Sequence, residues 1–287
     1  MRILPTVRIG ACFLVFALSF ATQAQQKAPR ATAARILLVP RSMISGEHAM
    51  LAVLDVGGRL TPGVTIQFSN GDKVTTDDTG RALFVAPLNP GPLYASIMGR
   101  TGRVATVILP AQEAATSTTI DLAPRVASAV DRFELTGSGF SGDADKNQVT
   151  IGGQTALVLA SSPTALVVLP TMEPPTGLTE VSVACGKQES ARFKMLFVAM
   201  KLEADTSPLQ PGQKRTLRVG ITGTREKIQL EARNLAPDIA DLVGGNPVRA
   251  FSSGEAENGV EFQVMGKKRG NFLISIRLVP AMTKPSR

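Results

Sequence analysis

The chain is predicted to be all-β, a tandem of β-sandwich domains that follows an N-terminal export signal. Three observations predict it. Apolar residues at helical spacing are almost missing from the 287 residues. Short runs of alternating apolar and polar residues recur instead, roughly every ten residues, as in sandwiches and barrels. Between those runs stand turn formers, with 26 Gly and 19 Pro in the chain.

The first element is the export signal. Arg2 and Arg8 supply a short basic region, Ile9 to Phe20 is apolar and uncharged, and Ala21-Thr22-Gln23-Ala24 places small residues where a signal peptidase cuts. The apolar run falls short of the ~20 residues that span a bilayer. The expectation is therefore a cleaved signal peptide over 1–24, cut after Ala24. No second apolar run of membrane length follows, so the mature chain is expected to have no transmembrane segment. Ile9-Gly10-Ala11-Cys12 has the look of a lipoprotein site, but it precedes the apolar run and is discounted. Residues 25–34 read as a flexible leader.

Three modules are expected next, at 35–121, 122–199 and 200–283. In the first, strands are predicted at Ile36–Val39, Ala49–Val56, Val64–Phe68, Lys73–Thr76, Arg81–Ala86, Leu93–Met98 and Val104–Leu109. Asn70-Gly71 between two of them is a strong hairpin signal. The second module opens with Phe133-Glu134-Leu135-Thr136 and a Gly/Ser-rich turn over 137–142. It continues through Asn147–Ile151, Gly152-Gly153, Ala156–Ala160, Ala165–Leu169 and Thr179–Cys185, and closes with Arg192–Phe197. The third has strand-like runs at Thr216–Thr222, Lys227–Ala232, Val260–Val264 and Phe272–Val279, with Pro/Gly turns at 211–212 and 244–247.

The middle segment resembles an IPT/TIG domain. The opening motif is carried by Phe133, Leu135, Gly137, Gly139 and Phe140, and the hairpin by Val149, Ile151, Gly152 and Gly153. Ser162, Thr164, Leu166 and Val168 carry a later strand, in which Ala165 stands where a polar residue is expected. The resemblance covers about a quarter of the chain. It implies an immunoglobulin-like β-sandwich, usually one of several in an extracellular or surface protein, and brings no catalytic residues with it. The first module is similar to bacterial Ig-like or carboxypeptidase-regulatory-like repeats, on Gly71 to Ala82 and Pro90 to Ala95. The third has the punctuation of an Ig-like domain.

Composition narrows the partners. The formal charge is +8. The signal holds two basic residues and no acidic one, so the mature chain keeps a smaller positive excess, which favours anionic surfaces. No nucleic-acid partner is expected, because the chain has one Tyr, no Trp and no basic helix. Cys185 is the one thiol left after cleavage, so no internal disulfide can form. It shares a strand face with Val181 and Val183 and is expected in the core.

Candidate chemistry is sparse. Gly137-Ser138-Gly139-Phe140-Ser141-Gly142 fits GxGxxG, yet another strand follows where a phosphate-binding helix would have to start. The glycines are better explained by positive φ and close packing. Asp143, Asp145 and Asn147 place oxygen ligands at alternate positions, as in the first half of a calcium loop. The rest of that pattern fails at Gln148 and Gln154, so a polar hairpin loop is the main expectation and a metal site the weaker one. Asp77-Asp78 has the same status. His48 is the only histidine and is expected at an exposed strand edge. No GxSxG elbow or HExxH run occurs, and no pair of carboxylates stands out. Lys267, Lys268 and Arg269 form a cationic hairpin tip, a weak candidate for contact with an anionic polymer. Phe251 and Phe262 are expected in the core.

The expectation is an exported, non-catalytic surface or periplasmic protein, an adhesion, binding or structural array without cofactor. Its partner would be a protein or an anionic envelope polymer, met at loops or sheet edges. The alternatives are an accessory polysaccharide- or cell-wall-binding protein, against which the scarcity of aromatics counts, and an enzyme with an unrecognised carboxylate site.

Overall fold

A computed structural model describes residues 35–171, 176–190, 192–205, 207–252, 259–270 and 272–285. The expected signal peptide (1–24) and leader (25–34) lie outside the described residues. The fold is all-β and immunoglobulin-like, and Ala34–Arg287 form one compact unit.

Eight strands enclose the first core: β1 (Arg35–Leu38), β2 (Ser42–Ile44), β3 (His48–Asp55), β4 (Thr65–Phe68), β5 (Lys73–Thr75), β6 (Arg81–Val85), β7 (Gly91–Ile97) and β8 (Arg103–Leu109). One sheet has the order β1-β3-β6, the other β2-β8-β7-β4-β5. Alternation sets the inward face: Ile66 and Phe68 are buried and Gln67 between them is exposed. Gly71, at φ +98, closes the β4–β5 hairpin, as the Asn-Gly pair predicts. Strand β2 was not anticipated. It has only three residues and runs parallel to β8, so neither length nor alternation marks it.

The second core lies among β9 (Thr119–Pro124), β10 (Val126–Ser128), β11 (Phe133–Ser138), β12 (Asn147–Ile151), β13 (Gln154–Ser162), β14 (Ala165–Leu169), β15 (Gly177–Cys185), β16 (Gln188–Glu189) and β17 (Phe193–Glu203). Gly152 and Gly153, both at positive φ, form a two-residue turn between β12 and β13. Strand β13 changes sheets. Its first residues pair with β12, its later ones with β14, and the register shifts between Val158 and Ala160. The third core lies among the end of β17, β18 (Lys214–Thr222), β19 (Gln229–Asn234), β20 (Ala240–Leu242), β21 (Val248–Phe251), β22 (Val260–Gly266) and β23 (Ile274–Leu278). The final strand β24 (Met282–Thr283) turns back to pair with β9.

Two joints tie these cores together. At the first, Ser161 of β13 pairs with Met50 of β3. Both faces of β3 are covered: Ala49, Leu51 and Val53 enter the first core, Met50 enters the second, and Ala52 and Leu54 fill a separate apolar cluster with Leu38, Leu159, Ala160 and Val167. Polar groups finish the seam. Ser162 Oγ donates to Ser42 O at 2.6 Å, Ser161 Oγ to Gly142 O at 2.7 Å, and Arg81 holds Asp145 through two hydrogen bonds of 2.7 and 2.9 Å. At the second joint β17 is shared, its first half pairing with β15 and its second with β18. Arg277 of β23 donates twice to Asp131, each bond 2.8 Å.

Charge is buried at this second joint. Burial raises the Asp131 carboxyl, but the hydrogen bond and charge of Arg277, with Arg132, outweigh it and hold the pKa below the ordinary carboxylate value. Burial, with repulsion from Arg277, lowers Arg132 to about 10 against the opposing pull of Asp131.

Two predictions follow from the joints. A Cβ on Gly142 would stand 1.9 Å from the His48 carbonyl oxygen, so Gly142→Ala should destabilise the protein by about 2–3 kcal/mol in urea unfolding. A depressed folded-state pKa means that the Asp131 contribution is present above the unfolded carboxylate range and is lost as pH falls through the folded value. Asp131→Asn should therefore cost about 1–3 kcal/mol at neutral pH, and the gap to wild type should narrow in acid, read from unfolding curves across a pH series.

Candidate functional site

The residues singled out by sequence do not converge. Asp143 caps a single 3-10 turn, Ala144–Lys146, by accepting from Asp145 N at 3.2 Å. The Asp145 carboxylate is engaged by Arg81. Asn147 Oδ1 accepts from Ser141 N at 2.8 Å, while its Nδ2 donates to Ser141 O at 2.8 Å and Asp143 O at 3.1 Å. Asp143 and Asn147 close the loop on itself, and Asp145 ties it to Arg81 of the first sandwich. Among the described residues no group of three His, Cys, Asp or Glu is placed to hold a metal ion. Asp77 closes its own turn. The hydrogen bond from Thr79 Oγ1, 2.6 Å long, is the main reason that its carboxyl lies below the ordinary value; burial opposes it, and the Arg81 and Thr79 N–H groups and the Arg81 charge assist.

The cationic tip is split. All three residues are exposed, but Lys267 Nζ donates to Pro237 O (3.1 Å) and Asp241 (3.2 Å). His48 is exposed at the start of β3. Cys185, the last residue of β15, is half-buried instead of in the core. Of the GxGxxG glycines, Gly139 takes a positive φ of 74. Gly137 and Gly142 allow backbone from Thr119 and His48 to approach. Phe262 is buried, but Phe251 is 58% exposed. It shares the outward face of edge strand β21 with Arg249, and Lys227 Nζ lies 4.8 Å from its ring centre.

Sequence reasoning missed a long concave face on the second sandwich. In β15, Val181 and Val183 point into the core, so Leu178, Glu180, Ser182 and Ala184 point out. In β17, Phe193, Met195 and Phe197 point in, which turns Lys194 and Leu196 outward. Glu180 and Lys194 are cross-strand partners. On one side of that pair lies a depression of about 330 Å³, lined by Gln148, Thr150, Glu180, Ser182 and Arg192. Thr150 and Ser182 share a hydroxyl hydrogen bond of 2.8 Å. On the other side, at the seam with the third sandwich, lies a depression of about 480 Å³, walled by Arg125, Leu178, Lys194, the Gly223–Glu226 turn and Thr283–Pro285.

The seam is cationic. Arg125 pairs with Glu226 at 2.8 Å and Arg192 with Glu180 at 3.1 Å. Lys194, Arg225 and Lys284 are exposed. Leu178, 73% exposed, supplies an apolar floor. The alternation of β15 and β17 was the available signal for the two strands. The turn and the C-terminal segment come from distant sequence and gave none.

Tandem immunoglobulin-like sandwiches with a cationic seam define the class of protein. More particularly, residues 121–195 match the model of the IPT/TIG domain family, so the middle sandwich is an IPT/TIG domain. No curated protein sequence matches the chain. Solved structures similar to it include SGBP-B of a Bacteroides ovatus mixed-linkage glucan utilization locus, in complex with a mixed-linkage heptasaccharide. That pair shares 11% identity over 84% of this chain and 73% of the other, at a TM-score of 0.32. SGBP-B of a complex xyloglucan utilization locus in Bacteroides uniformis shares 10% over 88% and 98%, at 0.29. Invasin, a bacterial integrin-binding protein, shares 16% over 88% and 60%, at 0.23. Likeness at these TM-scores carries nothing about function. Among the described residues no helix is long and apolar enough to cross a membrane.

The Asp145 carboxylate is two-thirds exposed, but its partner Arg81 is 9% exposed. Asp145→Asn should cost about 1–2 kcal/mol, because it leaves a buried guanidinium without a counter-ion. Thermal unfolding of the purified variant checks it.

Proposed function

We propose that this is an exported, non-catalytic binding protein of the cell surface or periplasm. Three sandwiches, at 35–121, 122–199 and 200–283, are fixed to one another and present the outer face of the middle one to a partner, a protein or an anionic envelope polymer. The observation that carries this reading is the concave seam. It is built from five separate segments of the chain and lined by exposed cations. Concave ground at a domain junction is a common location for a binding site. The second joint supports the reading too, since β17, shared between the second and third cores, holds the walls of the seam in place without a bound partner.

The test is fractionation of cells that produce the chain with a C-terminal tag, followed by mass measurement of the mature form and pull-down from envelope extract. The expected outcome is a product beginning at Gln25 in the periplasmic or surface fraction, with a retained envelope component that elutes in salt. A product that stays cytosolic would overturn the export reading. A hydrolase activity lost on a single Asp or Glu substitution would overturn the non-catalytic one.

A further inference from the structure

From the seam we infer a specific ligand class: an acidic polysaccharide whose sugar carboxylates lie over Lys194, Arg225 and Lys284, with its hydroxyls along the polar depression beyond Glu180. The inference rests on the reading of the chain as a binding protein and names the occupant of its groove.

The first ground is charge complementarity. Lys194 comes from β17, Arg225 from the turn after β18 and Lys284 from the segment after β24, and all three are exposed around one depression. The nearby acids, Glu226 and Glu180, are each already held by an arginine. A polymer with a carboxylate on each unit can bring several negative charges to these cations at once.

The second ground is continuity with a polar face. From Leu178 to Ala184 the strand covers roughly 20 Å at ~3.3 Å per residue. Beside its far half lies the polar depression, lined by Gln148 and Thr150 of β12, by Ser182, whose hydroxyl is bonded to that of Thr150, and by the Glu180–Arg192 pair, groups that can donate to and accept from a polyol.

The third ground separates a polysaccharide from an acidic peptide. Extended peptides commonly bind by adding a strand to an open sheet edge. Here β15 pairs with β17 over Gly177–Val181 and with β12 over Val181–Cys185, and β17 carries β10 beside Leu196–Val198. The two depressions are lined by outward side chains of the sheet face, Leu178, Glu180 and Lys194 among them, so the ligand would meet side chains there and not a strand edge.

The probe is a polygalacturonate oligosaccharide, titrated calorimetrically into the full mature chain, beside its carboxyl-reduced counterpart and poly-glutamate. Polygalacturonate should bind, more weakly as salt rises, and the reduced chain should bind at least about tenfold more weakly. A Lys194→Gln, Arg225→Gln, Lys284→Gln variant should lose about tenfold or more in affinity with unchanged thermal unfolding. A Lys268→Gln, Arg269→Gln control should stay near wild type. Equal loss in both variants would mean that net charge alone attracts the polymer, and would sink the inference, as would equal or tighter binding of poly-glutamate. Failure of polygalacturonate while the chain is still exported and still retains an envelope component would remove this ligand class and leave the binding function standing. A cytosolic product would remove the function first.

Discussion

Everything in this molecule hangs on strand β13 serving three neighbours. It pairs with β12, crosses to β14 and then meets β3 of the first sandwich. The register shift around Leu159 makes the crossing possible, because an extra residue in one strand reverses which side chains face the core. Val158 enters the second core, while Leu159 and Ala160, on either side of the shift, both enter the joint. A strand covered on both faces cannot alternate apolar with polar, and Leu157 to Ala160 does not.

The joints use opposite chemistry. The first is mainly apolar, with hydroxyls satisfying the carbonyls that the seam removes from water. Glu134 sits at its margin, where burial raises its carboxyl against the charge and N–H of Arg41. The second joint relies on Arg277, Asp131 and Arg132, a network that tolerates burial because each charge has a partner. Apolar contact supplies free energy without direction; the paired charges fix register between β23 and the β10–β11 link.

The seam follows from these joints. Leu196 points away from the second core and is covered by the third, whereas Leu178, its cross-strand partner, stays exposed. The edge of the third sandwich therefore falls across the outer face of β15 and β17, and the wall it raises turns a flat sheet into a groove. The cations Arg125, Lys194, Arg225 and Lys284 collect there because four surface segments meet, not because any one of them is strongly basic.

Much of the fold was legible in the residues. Ile66 and Phe68 alternating with Gln67, Gly152-Gly153 between two apolar runs, and the order of inward residues in β15 all follow from local sterics and a two-residue period. Phe251 was misplaced although its phase was available, since Val248 and Ala250 are the inward pair of that strand. The calcium-like spacing of Asp143, Asp145 and Asn147 was legible as spacing only. That Arg81, 64 residues away, would occupy Asp145 was not. Sequence determined an all-β chain, its turns and most inward faces, because these depend on neighbours a few residues apart. Tertiary structure alone decided which second faces would be covered, how the cores would be joined and where a groove would open, because each depends on surfaces brought together from distant parts of the chain.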